Sequence, residues 1–170
     1  METWKKFDET ELTHSNFHHL WAIHELLKKY GYARGADVSR HLKISRGSAF
    51  ITLKKLKERG LIYEDENKFF HLTKEAQRLI NNTLCNRRLL SLFLTKVLGV
   101  DEQTATEDAC KVEHLLSGST TEKLLKFMDF YCSDSPEVHK FKEAMENHTA
   151  FCGDSEVCEV CEIECIFERE

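Results

Sequence analysis

Proline is almost missing from this 170-residue chain: Pro136 is the only one, and there are seven glycines. So few breakers leave little to interrupt a helix, and a mainly α fold is expected. No run approaches the ~20 apolar residues that cross a bilayer, which excludes a spanning helix. The opening stretch from Met1 to Asp8 has no apolar signal region, so export is not expected and the cytoplasm is the expected location. Glycine-rich phosphate loops, internal repeats and low-complexity tracts are also missing, as are a convincing nucleophile and an oxyanion device. The chain is therefore not expected to be an enzyme. What is present is 41% apolar residues, enough for one ordinary domain or two small ones sharing a core.

The net charge of -5 conceals an asymmetry. Residues 1–100 hold 18 Lys and Arg against 11 Asp and Glu, for +7, whereas residues 101–170 hold 6 against 18, for -12. A polyanion would meet the first part. Its basic groups concentrate at Arg34, Arg40, Lys43, Arg46, Lys54, Lys55, Lys57 and Arg59, with Asp37 and Glu58 among them. Taken alone, such a cluster is equally well read as a solvated helix face.

The order of elements adds weight to a nucleic-acid reading. Leu20 to Tyr30 reads as an amphipathic helix with apolar Leu20, Ile23, Leu26 and Leu27, closed near Gly31. A short helix follows over Asp37 to Leu42, then a turn at Ile44 with Ser45 as N-cap, then a basic helix from Arg46 to Arg59 that stops at Gly60. That is a helix-turn-helix. Leu61–Tyr63 and Phe69–Leu72 read as two strands around the polar turn Glu64–Lys68, which supplies the wing of a winged helix. The basic helix would enter the major groove by its first turns, putting Arg46, Ser48, Ala49 and Thr52 near base edges. Arg34, Arg40, Lys54 and Lys55 complete the expected DNA-binding set, the lysines on phosphate or water. A long helix opening at Thr73 runs through Leu84, Leu89, Phe93 and Val97 to a stop near Gly99. Two more follow, over Asp101–Leu116 and Thr121–Tyr131. The last carries Leu124, Leu125, Phe127, Met128 and Phe130, more apolar surface than one core face requires, and a homodimer interface accounts for the excess.

Cys110, Glu113 and His114 share one face of the helix over Asp101–Leu116, and a soft sulfur, a carboxylate and an imidazole together suit a divalent transition metal. The bland alternative is a small core cysteine beside a surface Glu–His pair. His14 and His18, one helical turn apart, can share a face, with His14 as an accessory ligand. Four more cysteines, Cys152, Cys158, Cys161 and Cys165, fall within fourteen residues of the tail. Four thiolates suit an iron–sulfur cluster or structural zinc. The third reading is a helix whose Cys158, Cys161 and Cys165 pack on one face as small hydrophobes.

Across Leu20–Phe130 the chain resembles the diphtheria toxin repressor family of iron- and manganese-dependent regulators. The likeness rests on Gly31–Arg34, Asp37–Leu42, Leu53–Tyr63, Leu72–Thr73, Phe93–Asp101 and, most specifically, Glu107–Ser117. It implies a dimer with an N-terminal winged helix and a helical dimerisation domain, in which bound metal favours the DNA-binding form. It also implies a metal site of Cys110, Glu113 and His114 plus His18 from the first helix, where the family more often has methionine or aspartate. The cysteine favours Fe(II) over Mn(II), with Zn(II) also able to bind. The family's ancillary-site positions read here as Arg87, Ser91 and Thr106, none of them a good ligand. That second site is expected to be absent, with Arg87 supplying a fixed positive charge in place of its ion.

The expected organisation is a winged-helix domain over residues 1–73, a helical metal-binding and dimerisation domain over 74–150 and a Cys-rich acidic tail over 151–170, without the C-terminal barrel-like domain of longer family members. The expected function is iron-responsive repression of metal-homeostasis genes at a near-palindromic operator in double-stranded DNA. Two alternatives stand beside it: a metal-independent winged-helix protein, and a cluster-carrying, redox-sensing protein-interaction module.

Overall fold

Helix α1, His14–Tyr30, starts where the Thr13 hydroxyl accepts the Asn16 amide at 3.2 Å, and it ends where Gly31 turns to φ +78°. That left-handed C-cap is open to glycine at little cost. Phe17, Leu20, Ile23 and Leu26 recur at the helical spacing and are buried. Each such side chain contributes about 1.5–3 kcal/mol relative to exposure. The computed structural model describes residues 13–148, and among these it is predominantly helical.

Helices α2, Gly35–His41, and α3, Arg46–Glu58, pack on α1. The turn between them passes through Lys43 at φ +56°, and the Ser45 hydroxyl then accepts the Ser48 amide at 3.0 Å. Ala49, Leu53 and Leu56 carry α3 into the core. Strands β1, Ile62–Glu64, and β2, Phe70–Leu72, pair antiparallel in the register Ile62 to Leu72, Tyr63 to His71 and Glu64 to Phe70. In the wing turn one Asp65 carboxylate oxygen accepts the amides of Asn67 and Phe69, both at 2.9 Å, while the other meets His71 Nε2 at 2.8 Å. The Phe70 amide donates to the Ala33 carbonyl at 2.8 Å, which fastens the wing to the loop before α2.

Helix α4, Lys74–Leu92, is capped by Thr73 and serves two neighbours. Ala76 and Ile80 belong to the winged-helix core, whereas the second half packs along α5, Glu102–Val112. Between them lies a π-helical turn, Phe93–Val97, in which the Leu98 amide reaches back to the Phe93 carbonyl at 3.2 Å. The Thr95 hydroxyl donates to the Ser91 carbonyl at 2.8 Å, and Gly99 at φ +70° ends the run. The Asp101 carboxylate then caps α5 through the Thr104 amide. Helix α5 closes at Val112, so Glu113 is its C-cap and His114 lies in the following turn, earlier than the helix end at Leu116 that the sequence predicts.

Helix α6, Gly118–Tyr131, and α7, Pro136–Glu146, complete the described chain. The chain divides into two units after Met128. In the second, Tyr131 meets Phe141 edge to face, and Ser135 caps α7 just before Pro136 at the start of the helix. No helix among the described residues is long and apolar enough to cross a membrane.

Candidate metal centre and DNA-binding face

The metal-type side chains meet where the first turns of α1 approach the end of α5. His14 and His18, four residues apart, stack along α1 with Nε2 atoms 3.1 Å from each other. The ligand atoms of His14, His18 and Cys110 all lie within 4.8 Å of one another. Metal–nitrogen bonds of ~2.1 Å and metal–sulfur bonds of ~2.3 Å put tetrahedral donors about 3.4–3.7 Å apart, so this set fits a first-row divalent ion. Burial first, then the neighbouring His14 and Arg87, hold the His18 imidazole below its usual pKa, although Glu113 pulls the other way. A neutral imidazole is the form that donates a lone pair to metal.

The other two members of the expected set are placed differently. His114 lies beside the group, its ring centroid 5.4 Å from that of His14. Glu113 is fully buried, and its carboxylate faces Arg87 on α4. Arg87 Nη2 donates to Glu113 Oε1 at 2.7 Å, and Arg87 Nε donates to Oε2. That bonding to Glu113 raises the pKa of Arg87, although partial burial opposes it. The Glu113 backbone carbonyl accepts Asn86 Nδ2 at 2.7 Å, and Asn86 Oδ1 accepts the Thr121 hydroxyl at 2.6 Å. Glu113 therefore ties α4 to the end of α5, and Asn86 extends the tie to α6. The structure thus brings His14 into the donor group and holds both Glu113 oxygens on a guanidinium. The i, i+4 spacing of His14 and His18 was a visible signal for the first. The 26-residue separation of Arg87 and Glu113 left no local signal for the second.

The expected DNA-binding residues divide by exposure. Arg34, Arg40, Arg46, Ser48, Lys54 and Lys55 are exposed, and Thr52 is half-buried. Ala49 is a correction: it is 1% exposed and faces the core with Leu53 and Leu56, so it cannot reach a base edge. The signal was present in the i, i+4, i+7 spacing of those three residues. The exposed face of α3 instead carries Phe50 and Ile51, 67% and 58% exposed. Phe50 lines a groove of about 920 Å³ with an apolar floor, whose border carries Arg34, Arg46, Lys54, Lys57 and Lys68 together with Glu58 and Glu64, which pair with Lys54 and Lys57. Ser48 and Thr52 border a different cavity, about 360 Å³, shared with Ser15, His18 and His19 of α1. The helix carrying His18 and the helix that would read DNA therefore share a wall.

Cys85 and Cys132 are exposed free thiols, and Cys110 is half-buried. Cys152, Cys158, Cys161 and Cys165 lie outside the described residues.

Comparison with known proteins converges on one group. The family described as "Iron dependent repressor, metal binding and dimerisation domain" matches residues 73–149. An HTH-type transcriptional regulator of Methanocaldococcus jannaschii is 31% identical over 93 residues, covering 55% of this chain and 74% of that protein. The HTH-type transcriptional regulator MntR of Lysinibacillus sphaericus is 26% identical over 126 residues, 74% of this chain and 89% of that protein. Among solved structures, the hypothetical protein SSo2273 from Sulfolobus solfataricus shares the fold with a TM-score of 0.62 at 22% identity, over 90% of this chain and 98% of that chain.

Proposed function

Because the chain belongs to the diphtheria toxin repressor family of metal-dependent transcriptional regulators, we propose that it is an iron-responsive repressor of metal-homeostasis genes. It acts in the cytoplasm as a homodimer on a near-palindromic operator. The observation that carries the metal part is the convergence of His14 and His18 from α1 with Cys110 from α5. Two imidazoles and a thiolate favour Fe(II) or Zn(II) over Mn(II). A bound ion would link α1 to α5 through these three side chains.

The rest of the mechanism belongs to the protein's own groups. His18 borders the cavity that Ser48 and Thr52 of α3 also border, so fixing α1 fixes one wall of the DNA-reading helix. Arg46 and Lys54 on α3, with Arg34, Arg40 and Lys55, meet phosphate and base edges, and Phe50 and Ile51 present apolar surface to thymine methyls. Leu98, Leu115 and Leu125 are exposed and would supply apolar area for a partner copy. Cys152, Cys158, Cys161 and Cys165 form a second ligand set for an iron–sulfur cluster or zinc, tested by acid-labile sulfide per chain.

The deciding experiment is anaerobic binding to a duplex selected from a random pool, with Fe(II) and with chelator. The expected gain is ~100-fold on metal addition, about 2.7 kcal/mol of coupling, abolished in His18→Ala. Equal affinity in chelator and metal overturns the reading and favours a metal-independent winged-helix protein.

A further inference from the structure

We propose that Arg87 is a tethered cation that keeps the Glu113 carboxylate out of the metal ligand set, leaving a carboxylate-free site of His14, His18 and Cys110 that discriminates against Mn(II). This inference rests on the metal-responsive reading above. A fully buried carboxylate needs a charge partner, and Glu113 has one that engages both of its oxygens. The fork of two parallel N–H donors suits a carboxylate in a way a single ammonium does not, and the guanidinium does not deprotonate in proteins. The positive charge is permanent.

That charge is placed next to the donor group. Arg87 Nη2 lies 3.8 Å from Cys110 Sγ, and its guanidinium sits over the Phe17 ring at 5.6 Å from the centroid. Recruiting Glu113 to an ion would cost this half-buried cation the carboxylate that engages it through two hydrogen bonds, and would do so beside the positive charge of the ion. Hard ions such as Mn(II) bind through carboxylate and water, whereas imidazole and thiolate suit Fe(II), Co(II) and Zn(II). Removing the site's carboxylate therefore costs Mn(II) more than the softer ions.

Cobalt(II) and Mn(II) titrations of the full-length protein without oxygen test this, read by thiolate-to-cobalt absorption and by the electron spin resonance of free Mn(II). Glu113→Gln, which keeps the shape and loses the charge, is expected to bind Co(II) within about threefold of wild type with the same absorption. Cys110→Ser is expected to lose that absorption and ~100-fold in affinity. Arg87→Met, which frees Glu113, is expected to gain ~10-fold or more in Mn(II) affinity. A Glu113→Gln protein that loses Co(II) as completely as Cys110→Ser makes Glu113 a ligand and overturns the proposal, and so does a folded Arg87→Met protein with unchanged Mn(II) affinity. If circular dichroism shows Arg87→Met unfolded, the Glu113→Gln comparison alone decides. A wild type that binds no Co(II) overturns the proposal together with the metal-responsive reading, whereas loss on Glu113→Gln overturns the proposal alone.

Discussion

On α3, adjacent residues do opposite jobs. Ala49 is buried in the core cluster, while Phe50 and Ile51 on the same turn are exposed. Ala49→Leu should therefore overpack the core and destabilise by about 1–3 kcal/mol. Ile51→Ala should leave stability within about 0.5 kcal/mol, because it removes exposed side chain. On DNA the order reverses: Ile51→Ala should weaken binding by about 1 kcal/mol on the scale of a single base contact. Chemical denaturation beside duplex binding separates the two, and an Ile51→Ala protein with wild-type affinity and selectivity would remove that residue from the reading face. The same contrast shows what one sequence can disclose. Ser45, Thr73, Gly31 and Gly99 are legible because capping and left-handed turns are local demands on residue type. An alanine carries a weak hydrophobic signal, so its inward orientation is visible only through its spacing to Leu53 and Leu56. Arg87 and Glu113 belong to different helices, and nothing local to either announces the other.

Among the elements, the wing shows how little holds a two-stranded ribbon. Its strands are three residues each, and Asp65 organises the turn by accepting two amides and pairing with His71, whose ring stacks on Tyr63 at 5.0 Å. The His71 hydrogen bond first, then the Phe69 amide, hold the Asp65 carboxyl below the usual aspartate range. For a carboxylate with a depressed folded-state pKa, the stabilisation is fully present above the unfolded value of about 3.9 and disappears as pH falls through the lower folded value. The wing should therefore stay ordered at neutral pH and lose amide protection at Asn67 and Phe69 only in acid, while Asp65→Asn should lower that protection at neutral pH. Hydrogen exchange resolved at those two amides checks both, and equal protection in variant and wild type would assign the wing's order to Phe70 and its bond to Ala33 instead. The helix-strand-helix order around the wing is legible in the sequence from periodicity and turn residues. The π-helical turn at Phe93–Val97 is not, because a shift from i+4 to i+5 bonding depends on the α4–α5 packing that surrounds it.

At the scale of the whole molecule, a metal group at the α1–α5 junction would be coupled to a DNA face on α3 and the wing. The shared element is α1, which supplies His14 and His18 to one side and borders, with Ser48 and Thr52, the cavity on the other. If metal raises DNA affinity by a given factor, DNA must raise metal affinity by the same factor, because both describe one free-energy difference between two states. An ion that binds both states equally shifts nothing, however tightly it is held. Co(II) affinity measured with and without saturating duplex should thus change by the factor that Co(II) produces in duplex affinity, about 100-fold at constant salt. Constant salt matters because the basic first part of the chain releases counterions on binding, and log affinity falls by roughly 0.9 per phosphate contact for each log unit of salt. Lys54→Ala should flatten that salt slope by about one contact without altering the metal factor, whereas His18→Ala should erase the metal factor and leave the slope. If Lys54→Ala changed both quantities, the DNA face and the metal group would be a single site rather than two joined through α1.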